Sequence, residues 1–597
     1  MIHGVTQTGL RAGGLGSCVW IKRSWWLCLI LFASLSASAL EVQEVKWGFD
    51  GRVVPGRFNL LTILVANSSP EPFDGTVDFY KSRGMERVGA IYGAPCYLSP
   101  MTTRWLQFYV FIDNQYDQWR AEWGRGPTDS YEVPAPEWGA PAQVLLSDSD
   151  TTLSAQSAFK RFPEELFPST AAGAAGLDSL LLDHAPHWEP VQRQAFLRWL
   201  RAGGKLHLLT GADGHYPEFT DELAVLNTSA ERQTIGAGVL ARHAATASRI
   251  QPSDVREKGV PLRQYKTGDS APPAQTADSF FQVLGGLSQR RYSWGGIYLL
   301  AIVYVALVGP GNLLAGRKLT DYRLRIVLLL ATVGLFAFLF NLVGRRGQNE
   351  ANVVHSLSYA RATGDDTYDV MQWVNVFASR GSRYTITHAA LENIYATGQD
   401  YESVDGLVTN GKEGRFVVDI PMFSHRAFLH AAEMKGPRIP VKILNWNGAE
   451  TLNHLALDVG PDFMKQVLDG WVVQGDRIYP MKATQSGLEF GNSRSDSVAG
   501  FIAESALPPM PFNNGRQPVD KAEAAEGQFR KLAKPLIAWN LGTGDFTHPG
   551  ATSPSENRRV QLFLFARSPQ SFGIQGAELG HEIGYVLYHF DLFKPGT

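Results

Sequence analysis

Cysteine is nearly missing from this chain: Cys18, Cys28 and Cys96 are the three in 597 residues. The first two fall in an N-terminal targeting region. In a processed chain Cys96 would stand alone, which excludes an intrachain disulfide. Packing can hold an exported domain without disulfides, so export is not excluded. An excess of charge of one sign is also missing. Fifty-five Lys and Arg face 57 Asp and Glu, a formal net charge of -2. No basic field exists to hold a nucleic acid, and none is expected as a partner. Charged residues make up 19% and aromatics 11%, which leaves apolar material for several packed cores. Self-similarity at a period of 20 to 50 residues is absent, which excludes a solenoid.

What is present begins with a targeting signal. In "IKRSWWLCLILFASLSASALEVQ", Lys22 and Arg23 form a positive region and Trp25 to Leu35 an apolar one. Ala37-Ser38-Ala39 forms a small-x-small cleavage site, so residues 1–39 read as a signal peptide. An uncleaved anchor is the alternative. The strongest signal lies mid-chain. Trp294 to Leu314 and Ile326 to Val343 are apolar and free of charge, each long enough to cross a bilayer as a helix. Arg317, Lys318, Arg323 and Arg325 lie between them against one acid, Asp321, and place the 315–325 loop in the cytoplasm. A signal peptide followed by two spans leaves both large regions outside. The lipid bilayer is therefore an expected partner. Gly309-Pro310-Gly311 should break or kink the first span.

The flanking regions differ in pattern. From 40 to 134, strand-sized runs such as "FNLLTILVA" and "TTRWLQFYVFID" alternate with turn signals and predict a small Ig-like β-sandwich. Val133 to Ala142 reads as a Pro-rich linker. From 142 to 249 the apolar runs "AQVLLSD", "LDSLLLDH" and "KLHLLTG" read as buried parallel strands. Between the last two, Pro190 opens a helix with Val191, Ala195, Phe196, Trp199 and Leu200 on its apolar face. Strand, helix, strand predicts an α/β domain. Residues 250–293 read as a linker or tether. Residues 347–597 are β-rich, one or two sandwiches, with one helix over Pro518 to Trp539.

The arrangement resembles a broad group of bacterial inner-membrane proteins of unassigned biochemistry. The stretches that carry it are "GRVVPGRFNLLTILVANSS", "LDSLLLDHAPHWEPVQRQAFLRWLRAGGKLHLL", "YVALVGPGNLLAGRKL" and "LDGWVVQGDRIYPM", taken in that order. The resemblance implies an exported β-sandwich, a glutamine-amidotransferase-like α/β domain, a two-helix membrane hairpin and a C-terminal β region. The expected fold class is a multidomain α/β plus all-β membrane protein, with the α/β part a degenerate flavodoxin/amidotransferase-like domain.

The chemistry is sparse. An amidotransferase needs a Cys nucleophile just past the strand that ends near Gly211, and "LLTGADGHYPEF" has none there. "DHAPHWE" offers Asp183, His184, His187 and Glu189 as metal or ligand candidates at a strand end, where α/β folds place ligands. The competing reading is a polar loop with Glu189 at a helix N-terminus. "GHEIGYVLYHF" lacks the second His of HExxH and reads as a strand. "TGADGH" and "GTGDFTHPG" lack the P-loop Lys and read as turns. Trp446, Trp471 and Trp539 read as sandwich core before they read as a sugar platform. Neither span carries a paired ionisable group, so the hairpin is an anchor rather than a transport path. No cofactor is expected. These features predict a non-enzymatic envelope scaffold or assembly factor at the bacterial inner membrane, with an envelope protein as partner. The alternatives are a metal-dependent hydrolase using Asp183, His184 and His187, or a solute-sensing subunit that signals through the hairpin.

Overall fold

The computed structural model describes residues 40–594 except 85, 113–116, 125, 127–128, 149–156, 256–271, 289–293, 319–320, 349–351, 398–402, 449–451, 485–486, 492–494, 506–520, 545–558 and 577–578. The expected signal peptide, with Cys18 and Cys28, lies outside them. Most of the described chain is β-sheet, arranged as sheets of three, six, eight and twelve strands and a two-stranded ribbon.

The sandwich expected over 40–134 is present but does not close within those residues. One layer is the three-stranded sheet Glu41–Trp47, Arg57–Ala66, Thr103–Ile112. Its middle strand is buried on both faces. Leu61, Ile63 and Val65 are fully buried, and Thr62 on the other face is also enclosed. The other layer holds Phe73–Arg83, Glu86–Leu98, Gln118–Glu122 and Ser130–Val133, and it continues into four strands from beyond residue 380. Ser403–Thr409 joins it by pairing parallel with Glu86–Leu98, with Leu407 opposite Ile91 and Val408 opposite Tyr92. Two long neighbours secure the joint: Thr397 Oγ1 accepts from Ala90 N at 3.1 Å, and Asn410 Nδ2 donates to Tyr109 O at 3.2 Å. The reason is an edge. Glu86–Leu98 would otherwise expose a row of unpaired backbone groups. Periodicity shows such a strand but not what covers it. Inside the sandwich, Phe79 stacks on Trp119 at 5.0 Å and meets Phe108 at 5.2 Å.

The expected Pro-rich linker is also built into the fold. Glu137–Trp138 pairs with Arg52–Val53, and Trp47 Nε1 donates to Pro134 O at 2.8 Å.

The six-stranded sheet runs in the order Lys160–Pro163, Ala142–Ser147, Leu177–Leu182, Lys205–Leu208, Gly238–Arg242, Arg232–Ile235. All neighbours are parallel except the last pair. The helix Pro190–Arg201 buries Ala195, Phe196, Leu197, Trp199 and Leu200. Val191, expected on that face, is 42% exposed, because it sits in the first turn, before the helix reaches the sheet. The sheet leans on the sandwich through Arg57 Nη1 to Ala175 O (2.8 Å) and Gln107 Nε2 to Leu166 O (2.7 Å).

The tether expected over 250–293 contains a packed helix, Pro272–Ser288. Phe280 and Leu284 are fully buried, and Phe280 meets Trp373 at 5.0 Å. A polar prefix masked this short apolar face. A second helix, Lys521–Gly544, extends the expected one and lies on the same twelve-stranded sheet: Trp539 meets Trp373 at 4.8 Å and Phe529 stacks on Tyr585 at 4.5 Å. Trp471 and Trp539 are core residues, as their apolar context suggested.

Two helical stretches, Gly296–Leu314 and Tyr322–Asn341, are long and apolar enough to cross a membrane, and almost nothing in the protein covers them. The first does not break at Pro310. It widens into a π-type turn over Leu307–Gly311, which accommodates the missing proline N–H. Tyr304 packs on Phe336 (5.2 Å) and Phe340 (6.1 Å), which pins one helix to the other. Arg317, Lys318, Arg323 and Arg325 lie between or at the ends of these helices, and Asp321 Oδ1 accepts from Arg323 N at 3.0 Å to cap the second.

Candidate functional site

Three adjacent parallel strands end side by side in the six-stranded sheet, and each is followed at once by a ligand-type side chain. Asp148 follows Ser147, Glu164 follows Pro163, and Asp183 and His184 follow Leu182. Parallel pairing brings these C-terminal ends to one rim, where open α/β sheets collect ligands.

Glu164 is the centre of the rim, with its side chain 7% exposed. One carboxylate oxygen contacts His184 Nε2 at 3.1 Å. The other accepts from His187 N at 3.3 Å and contacts His187 Nδ1 at 3.2 Å. Its backbone carbonyl accepts from Trp188 Nε1 at 2.9 Å, so Glu164 and the 183–188 loop lock each other in place. His184 Nδ1 lies 2.8 Å from Asp183 Oδ1. Burial opposes a charge on His184, but hydrogen bonds to Asp183 and Glu164 outweigh it and raise its pKa. The reason is simple: a neutral imidazole has one N–H, and here two carboxylates each want one.

Of the sequence candidates, Asp183, His184 and His187 thus come together and Glu189 does not. Glu189 is the N-cap of Pro190–Arg201, and its backbone N donates to Gln192 Oε1 at 3.2 Å. Two residues were missed, Glu164 and Asp148. Nothing local in "KRFPEELF" says that its first acid will be buried beneath His184. The apolar Phe162 and Leu166 around it are the one trace of that burial.

Asp148, Glu164 and His187 each offer one ligand atom, and these atoms all lie within 4.8 Å of one another. An ion with bonds of about 2.0–2.4 Å can bridge such a set. Two oxygens and one imidazole nitrogen suit zinc or a similar divalent cation, with room for a water or a ligand group. His184 would then stand behind Glu164 as an orienting partner. His187 is the outermost of the three, 79% exposed at its side chain, and closes the set from the solvent side.

The place where an amidotransferase would hold its nucleophile is built otherwise. After Leu208 the chain turns through Gly211, whose N donates to His215 O at 2.8 Å, and next forms the 3₁₀ turn Asp221–Leu226. A sharp strand-to-helix turn with a nucleophile at its apex does not occur there. Cys96 is buried in the sandwich.

Comparison with known proteins adds little. No protein-family model matches the chain, and no curated protein matches it. Among solved structures, a Paenibacillus sp. cycloisomaltooligosaccharide glucanotransferase complexed with cycloisomaltoheptaose is similar over 66% of this chain and 72% of its own, at 10% identity and a TM-score of 0.16. A likeness that low carries no argument about fold or chemistry.

Proposed function

We propose that this chain is a non-enzymatic integral membrane protein that presents extracytoplasmic protein- or ligand-binding surfaces, as an envelope scaffold or assembly factor of the bacterial inner membrane. The observation that carries the reading is the sheet shared by the two regions. Glu86–Leu98 precedes the apolar helices and Ser403–Thr409 follows them, yet they are hydrogen-bonded neighbours. Paired strands must lie on one side of a bilayer, and a two-span hairpin returns the chain to that side. The basic loop Arg317–Arg325 then faces the cytoplasm. The α/β part keeps its amidotransferase-like reading as a degenerate domain, with its strand-end rim used for binding.

The test has two parts. In a cysteine-free background, Met101→Cys and Leu444→Cys should both react with an impermeant maleimide from outside, and Lys318→Cys should react only after the membrane is opened. Opposite reactivity at 101 and 444 refutes the shared side. Cross-linking and purification from gently solubilised membranes should then recover one near-stoichiometric envelope protein. The chain alone, in good yield, refutes the scaffold.

A second reading is favoured by Asp148, Glu164 and His187: a divalent metal held at the strand ends, and with it a hydrolase. An open metal position beside a carboxylate is what hydrolytic sites use to activate water. Full-length protein loaded with zinc and then desalted should retain about one ion per chain, and Glu164→Gln should retain none. Equal retention by both removes this reading.

A further inference from the structure

The chain enters and leaves the apolar hairpin at one rim of the β-structure, and that rim carries an exposed apolar tip. The second helix ends at Gln348 and the strand Val353–Ala362 begins at once, so at most about 17 Å of chain separates them. On the other arm, Gly285 near the end of Pro272–Ser288 lies beside Asn375 and His425, and Trp294 opens the first span shortly after. Register extends the rim across the sheets. Val353 is opposite Phe377, Ala378 is opposite Ser424, and Ser382 is opposite Ile420. The turns at 379–381 and 421–423 therefore lie at the hairpin end. Asn352 fastens the first of them: its Oδ1 accepts from Ser379 N at 2.9 Å and from Ser379 Oγ at 3.1 Å.

The second turn shows its side chains to solvent. Met422 is 63% exposed and Phe423 43%. They are the one consecutive pair of exposed large apolar residues among the described residues outside the hairpin helices. Phe423 also holds a left-handed backbone, φ 56°, which is rare for an aromatic residue. Gly381 lies against the backbone of Met422, which joins the two turns. Beside the tip, Arg380 and Arg383 are exposed. Arg383 has Asp419 across the strand, while the Arg380 carbonyl is held by Tyr384 OH at 2.7 Å, leaving its side chain at the rim.

We infer that the 421–423 tip rests in the bilayer that holds the hairpin, with Met422 and Phe423 at the headgroup–acyl boundary and Arg380 against lipid phosphate. This rests on the spanning reading of the two helices. Apolar side chains next to cations, at the height where the chain enters lipid, match an interfacial contact. The contact would give the β-structure a third point of attachment besides the two hairpin arms, and so fix its tilt.

Full-length protein without native cysteines, reconstituted in phosphatidylethanolamine–phosphatidylglycerol vesicles, gives the test. An environment-sensitive fluorophore is placed at Met422→Cys, at Leu330→Cys in the second helix, and at Leu391→Cys, which is 69% exposed near the opposite end. Shallow lipid-borne nitroxides should quench the 422 probe and leave the 391 probe bright, while deep ones quench the 330 probe. Withdrawing phosphatidylglycerol should weaken the 422 quenching in the parent, and should weaken it less in Arg380→Gln. A quenched 330 probe with an unquenched 422 probe overturns this inference and spares the hairpin. An unquenched 330 probe overturns both. A 422 probe dark to neither lipid nitroxide nor aqueous iodide means that a protein covers the tip, and also overturns it.

Discussion

His184 at the strand-end rim and His388 with His430 inside the twelve-stranded sheet are the same side chain put to opposite use. His184 lies between two carboxylates, half-open to solvent, and its pKa is raised. His388 and His430 stack with ring centroids 3.7 Å apart and touch only neutral partners: Tyr395 OH at 2.9 Å from His388, and the side-chain amides of Gln372 and Asn393, which can supply one acceptor and one donor, each at 2.8 Å from His430. Burial pushes His388 down to about 3 and, with His388 alongside, His430 well below its usual range. One set holds charge ready at a surface. The other is neutral and closed, and it specifies a packed interior. Counting histidines in the sequence would not separate a binding rim from a structural network; the company of carboxylates does.

The sharpest way to break that contrast is to remove one histidine from each set. His430→Leu strands the buried Gln372 and Asn393 and should cost about 3 kcal/mol, read as a lowered unfolding midpoint of the full chain in detergent. His184→Gln should cost about 1 kcal/mol or less in the same measurement, because the glutamine amide can still donate to the buried Glu164 and water can reach the half-buried Asp183. Equal losses would mean that the rim is structural too. For zinc the order reverses. His184→Gln should weaken retention about 10–100-fold through Glu164, and His430→Leu should leave it unchanged once folding is corrected.

Acid and base should also act on the two sets in opposite senses. The folded pKa values of His388 and His430 lie below the unfolded value, so their contribution is complete above about pH 6.5 and fades as the pH falls toward about 3. The folded pKa of His184 is raised, so its contribution is complete below about pH 6.5 and is lost as the pH rises through the folded value. A melting profile of His184→Gln should therefore differ from the parent below neutrality and merge with it in base. An effect of similarly small size is expected at the joint between the six- and twelve-stranded sheets, where Arg198 meets Glu433. There, burial and the neighbouring Glu433 push Asp369 up to about 6. Its raised value means that ionisation costs stability as pH rises through about 6. Asp369→Asn should raise the melting point at pH 8 by about 1 kcal/mol equivalent and have no benefit at pH 4.

Much of the site was half legible. The strand-end position of Asp183, His184 and His187 follows from an apolar run that stops and a Pro-led helix that starts, both local signals. Glu164 was not legible, because it lies 20 residues earlier, in a turn that follows an edge strand too short to show a period. Glu189 was readable both as a ligand candidate and as the residue at a helix N-terminus, and the structure makes it the N-cap of Pro190–Arg201. The 40–134 sandwich shows the same limit. Its strands were readable from alternation, but the partner of Glu86–Leu98 lies more than 300 residues on.

By itself, the sequence determined what short-range physics can carry: apolar length for two candidate spans, their basic loop, strand and helix periodicities, and a missing nucleophile. Each depends on neighbours within a turn, a strand or a bilayer thickness. The tertiary structure decided which distant strands share an edge, which carboxylate lies beneath which histidine, and which exposed tip stands at the hairpin rim. Those outcomes depend on burial and hydrogen-bond satisfaction summed over the whole chain, and no local window contains that sum.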